Sequence, residues 1–222
     1  MAHPVLDAVE VATGPNPTGS VVWLHGLGAD GHDFEPAVPE LVRRGERALR
    51  FVFPHAPVRP VSLNGGLPMR AWYDITGLDR HAAEDETGVR NSDSAVRALI
   101  RRENERGVPT GRIVLAGFSQ GGAMALFTGT RLPDKLAGVI GLSCYMLLAA
   151  GFATERQAAN QHTPVFMAHG TLDNVVDPQL GAAARAVLAA TGYTVEWHSY
   201  PIGHSVCAEE LTAIATFLRA VL

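Results

Sequence analysis

Short apolar runs recur along this chain, each followed by a longer stretch with helical spacing. Residues 20–25 (SVVWLH), 50–53 (RFVF), 112–118 (RIVLAGF), 136–143 (LAGVIGLS) and 164–170 (PVFMAHG) are rich in β-branched and aromatic side chains and show no polar alternation. A strand reads that way when both of its faces are buried. Residues 193–200 (YTVEWHSY) alternate apolar and polar side chains instead, as a strand nearer a sheet edge does. Helical periodicity covers 91–106, 120–131, 178–190 and 206–221. Pro178 falls at a first helical position with Asp177 before it as N-cap, and Gly107 follows an arginine-rich helix end. Repeated strand–helix–strand order predicts an α/β fold: a mostly parallel central sheet with helices on both faces.

A chain of 222 residues with 47% hydrophobic content can bury one sizeable core. No linker-like or low-complexity stretch divides it, so one domain over 1–222 is expected. The 18 basic residues are outnumbered by 22 acidic ones, which argues against nucleic acid as a partner. The N-terminal stretch MAHPVLDAVEVATGPNPTG has neither a basic nor an apolar leader region, and no apolar run is long enough to span a bilayer. A cytoplasmic protein without an integral membrane segment is the expectation. Cys144 and Cys207 have no metal or redox spacing and read as two small buried hydrophobes.

In a parallel sheet, ligands and chemistry collect beyond the carboxyl ends of the strands. Ser119 lies there, in AGFSQGGAM, directly after the strand 112–118 and directly before an Ala- and Gly-rich helix. That is the strand–turn–helix context of a nucleophile elbow, and glycines at 117 and 121 let strand and helix approach closely. A serine needs a base, and the base an orienting acid, in the chain order Ser, Asp or Glu, His. Of Asp134, Glu155, Asp173, Asp177 and Glu196, Asp173 alone lies just past a strand end without a better role as cap or connection. His204, in the loop YPIGHS beyond the last strand, is the base candidate; His198 lies inside that strand, where packing explains it. One oxyanion donor would be the N–H of Gln120, and the other that of Leu27 in the loop WLHGLGADGHDF, with Gly26 and Gly28 allowing it to turn inward. A metal reading of that loop through His25, Asp30, His32 and Asp33 lacks the cysteine or helical histidine pair that zinc sites use. His25 and His169 read as structural hydrogen-bonding groups.

The blocks LHGLGADGHDF, FPHAP, WYDI, GFSQGG, HGTLDNVVDP and YPIGHSVC occur in the order seen in the phospholipase/carboxylesterase family, which the chain resembles from about Val21 to its last helix. The resemblance implies a compact α/β-hydrolase fold without a large cap domain, the triad Ser119, Asp173 and His204, and oxyanion donors at Leu27 and Gln120. It implies a serine carboxylesterase that needs no cofactor and acts on small ester substrates of short to medium acyl chains, in a family whose members often form homodimers. An acyl-protein thioesterase or lysophospholipase acting on longer chains is the nearest rival. A non-catalytic binding protein of the same fold is a rival from another class. Met69, Trp72, Met146 and Leu147 are the candidates for lining the acyl site.

Overall fold

In the computed structural model, which describes residues 6–42, 47–77 and 83–222, the core is a seven-stranded sheet. Its strands are β1 (Ala8–Ala12), β2 (Gly19–Leu24), β3 (Leu49–Pro54), β6 (Ile113–Phe118), β7 (Gly138–Leu142), β8 (Val165–Gly170) and β9 (Val195–Tyr200), in the order β1-β3-β2-β6-β7-β8-β9. Only β1 runs antiparallel to its neighbour. A separate hairpin joins β4 (Val58–Val61) to β5 (Leu67–Arg70). The helices are α1 (Val38–Leu41), α2 (Glu86–Glu105), α3 (Gln120–Arg131), α4 (Phe152–Glu155), α5 (Pro178–Ala190) and α6 (Ala208–Val221).

The buried strands face two cores by their two-residue alternation. Val22 and Leu24 of β2, with Ile113 and Leu115 of β6, pack into the core that holds α2, α3 and α5. Val21, Trp23, Val114 and Ala116 point the other way, against α1 and α6. Such strands cannot be polar on either face, which is why their sequences lack alternation. β9 closes one edge with a partly exposed pattern, as its sequence predicts.

Two elements carried no clear signal. β1 (AVEVA) is short, alanine-rich and partly exposed, so pairing with β3 rather than its own propensity makes it a strand. The β4–β5 hairpin holds prolines in both strands and turns through Gly65 and Gly66, both at positive φ. Helix α2 begins at Glu86, five residues before its periodic stretch, because the Asp85 carboxylate accepts the Gly88 N–H and caps it. Asp177 caps α5 in the same way, and Gly107 ends α2 at φ 90°. Cys144 is buried, whereas Cys207 is half-buried at the start of α6, and both are free thiols.

The chain runs from β2 outward to β3 and returns to place β6 on the other side of β2. The carboxyl ends of β2 and β6 are therefore the topological switch point, where parallel sheets open a crevice. Here α3 presses hard against the sheet: a Cβ on Gly121 would lie 2.2 Å from the Leu24 carbonyl oxygen, and one on Gly117 2.2 Å from that of Gly121. Gly121→Ala should force the backbone apart at a cost of about 3 kcal/mol. A thermal melt should show a Tm lower by about 10 °C.

Candidate active site

Ser119 links β6 to α3 at φ 55°, ψ −120°, a conformation that a non-glycine residue rarely adopts. The turn is held by the Ser119 N–H on the Leu142 carbonyl (2.8 Å) and by the Ala123 N–H on the carbonyl of Ser119 (3.0 Å). It lifts the side chain above the sheet edge at the N-terminus of α3, where the helix dipole favours negative charge.

The Ser119 Oγ donates to His204 Nε2 at 2.9 Å, and His204 Nδ1 donates to Asp173 Oδ2 at 2.7 Å. Facing a carboxylate, the neutral imidazole keeps its proton on Nδ1, which leaves Nε2 free to accept. Asp173 follows β8 and its carboxylate also organises its own loop: Oδ1 accepts the N–H groups of Val175 and Val176, both at 2.9 Å. Burial pushes this carboxyl up, and the bonds from His204, Val176 and Val175 outweigh it, so the group titrates below the usual aspartate range. His169 donates to the Val176 carbonyl (3.0 Å) and so holds the same loop from beneath.

His204 reaches its place by a route that the sequence did not suggest. The close approach is at Gly170, where a Cβ would lie 2.4 Å from the carbonyl oxygens of Ile202 and Gly203. The Phe118 ring, 4.7 Å from the imidazole centroid, packs against it. His198 stays away, stacked on Phe166 and bonded to Glu196.

Loop 25–28 closes the other side. A Cβ on Gly26 would meet Ser119 Cβ at 3.5 Å, and Gly28, at φ 77°, ties the loop to β5 through its N–H on the Arg70 carbonyl (2.9 Å). His25 is buried with both nitrogens engaged: Nδ1 donates to the Gly26 carbonyl (2.7 Å) and Nε2 accepts the Ala56 N–H (3.0 Å). Burial lowers its pKa, in keeping with a neutral structural ring. His32 instead pairs with Glu35 on the surface. The N–H groups of Leu27 and Gln120 have no acceptor among the described residues. Uncommitted backbone donors of this kind are the groups from which an oxyanion hole is built.

The Gln120 side chain does work that the motif does not reveal. It is buried; its Oε1 accepts the Trp72 N–H and its Nε2 donates to the Tyr73 carbonyl, both at 2.8 Å. Trp72 Nε1 donates to the His25 carbonyl (2.9 Å), and the Ser92 hydroxyl donates to the Trp72 carbonyl. Trp72, a candidate for the acyl site, is fully buried, and its three hydrogen bonds make it a brace between elbow and loop. Met69 lies against the loop that faces Ser119, with its sulfur 3.8 Å from a Cβ position on Gly28. Met146 and Leu147 do line a cavity of about 280 Å³, together with Tyr73, Tyr145 and the α5 residues Leu180 and Val187. The α5 contribution was missed because those side chains carry no motif; only their helical spacing marks them.

The sheet order, the elbow and the loop that faces it define an α/β-hydrolase fold. The chain belongs to the phospholipase/carboxylesterase family, whose sequence model matches residues 7–222. It is 46% identical to acyl-protein thioesterase 1 of Neurospora crassa over 90% of this chain and 86% of that one. Its structure is similar to that of Arabidopsis thaliana SOBER1 (TM-score 0.85, 30% identity, 91% and 98% of the two chains covered). It is also similar to Zea mays acyl-protein thioesterase 2 (TM-score 0.81, 27% identity, 96% and 99% covered).

Behind the His204 loop, the Glu210 carboxyl is 1% exposed, with one oxygen unpartnered, and burial pushes it up to about 7 from 4.5. The folded protein then keeps a proton that the unfolded chain has lost, so between those values stability falls as pH rises. Glu210→Gln removes that penalty. Relative to wild type it should gain roughly 2–3 kcal/mol near pH 8 and little near pH 4, as read from denaturant melts at the two pH values.

Proposed function

We propose that this protein is a serine hydrolase that cleaves acyl thioesters and esters through an acyl-enzyme. The observation that carries the reading is the unbroken relay from Ser119 Oγ to His204 to Asp173, with the Leu27 and Gln120 N–H groups uncommitted beside it. His204 Nε2 takes the Ser119 proton as Oγ attacks the acyl carbon, and Asp173 supports the imidazolium that forms. The carbonyl oxygen becomes an oxyanion between the two N–H groups, each worth about 3 kcal/mol of barrier. When the tetrahedral intermediate collapses, His204 returns the proton to the departing thiol or alcohol. Water then attacks the acyl-enzyme by the same route, releasing the acid and restoring Ser119.

The acyl group has an apolar place to lie. Tyr145 and Met146 follow β7, whose Leu142 pairs with Phe118 beside the nucleophile, and Tyr73 is held by Gln120, so the cavity wall begins at the elbow. Leu172 and Val175 are exposed apolar side chains on the loop that carries Asp173. Relatives named acyl-protein thioesterase favour a thioester substrate over the simple short-chain carboxylesterase reading. The two share every step and differ in leaving group and chain length.

A fluorophosphonate should label wild type and not Ser119→Ala, and the variant should lose roughly five to six orders of magnitude in ester turnover while melting normally. Near-wild-type turnover in that variant would defeat the proposal. Matched thioesters and oxoesters of increasing chain length then decide the substrate: an acetyl optimum on oxoesters returns the carboxylesterase reading. Labelling without turnover of any of these substrates would mark a binding protein of the same fold.

A further inference from the structure

The cavity between the segment after β7 and α5 is apolar over Ile75, Met146, Leu147, Leu180, Ala184 and Val187, yet two phenols meet in its wall. The hydroxyls of Tyr73 and Tyr145 lie 2.8 Å apart and bond to each other. Burial pushes Tyr145 up to about 12 and also raises Tyr73 well above the usual tyrosine range, so both keep their protons at ordinary pH. Two hydroxyls that share one hydrogen bond use one proton and leave the other over. No second partner of either hydroxyl exists among the described residues.

Tyr73 is 3% exposed, while Tyr145 is half-buried at the cavity surface. Either hydroxyl can donate to the other; with Tyr73 donating, the proton left over is on Tyr145, the more exposed of the two, and faces the cavity. Accepting a bond polarises the Tyr145 hydroxyl and strengthens it as a donor.

The other polar groups of the lining are committed. Thr76 Oγ1 donates to the Ala83 carbonyl, and Asp74 accepts from the Ser62 N–H and hydroxyl. Asp85 accepts from the N–H groups of Asp74 and Gly88, and Glu84 from that of Leu148. The Tyr145 hydroxyl is the donor left among them.

We propose that Tyr73 and Tyr145 form a polar recognition point in the acyl cavity that selects acyl groups carrying an acceptor oxygen, a keto or ether oxygen, along the chain. A plain alkyl chain desolvates the Tyr145 proton and gives it nothing, whereas a chain oxygen at that depth accepts it. Sites that offer a buried hydrogen bond discriminate against the analogue that lacks the partner. This rests on the acyl-hydrolase reading above and refines its substrate.

The test uses p-nitrophenyl octanoate and a series in which one chain methylene at a time is replaced by a carbonyl. Wild type should show a maximum in kcat/KM at one carbonyl position, about three- to tenfold above octanoate. Tyr145→Phe should abolish that ratio, and Tyr73→Phe, which leaves the donor but removes its polarising partner, should reduce it in part. Because the readout is a ratio on one enzyme sample, general losses of active protein cancel. A flat series in wild type, or a ratio unchanged in Tyr145→Phe, overturns the proposal while cleavage of octanoate keeps the hydrolase reading intact. If no ester is cleaved, both readings fall.

Discussion

The site depends on how closely α3 can approach the ends of β2 and β6. Ser119 is held in a backbone conformation that costs on the order of 1–3 kcal/mol, and it persists because its surroundings leave no other path. Gly117 and Gly121 have no room for a Cβ, Ser119 is pinned to Leu142 and Ala123 through its backbone, and both flanking elements are buried. If that junction relaxed outward, the Gln120 N–H would leave the Leu27 N–H and the serine would drop back toward the sheet. Strain at one residue is thus held in place by packing over the whole β6–α3 unit.

The parallel sheet turns sequence distance into proximity. Ser119, Asp173 and His204 hang from the ends of β6, β8 and β9, and the loop of Leu27 from the end of β2. Parallel register puts all four ends at one edge. Each loop then fixes its own group. Asp173 binds the amides of the turn it sits in, Gly170 lets the His204 loop settle against β8, and His25 ties the Leu27 loop to Ala56. Local hydrogen bonds set the final positions that the strands only bring near.

A buried polar strut connects these parts. Gln120 clasps Trp72 and Tyr73, Trp72 reaches the carbonyl of His25, and Ser92 anchors Trp72 from α2. Unpaired buried groups are costly, so the strut is stable only with all its members in place. It makes one rigid body of the nucleophile turn, the loop that faces it and the cavity wall.

Much of this was legible from residue order alone. Buried strands show as apolar runs because neither face meets water, and the elbow shows because only glycines tolerate such closeness. Ser119, Asp173 and His204 were readable as residues placed just after strands, and Asp177 and Gly107 as caps, since capping is local chemistry. What tertiary structure decided was everything set by non-local contact. Pairing with β3 makes a strand of AVEVA, a carboxylate cap at Asp85 starts α2 early, and burial turns Trp72 from a candidate for the acyl site into a brace. The meeting of Tyr73 with Tyr145, 72 residues apart in sequence, has no local signal. A side chain's chemistry is written in the sequence, but its partner is chosen by the packing of distant elements.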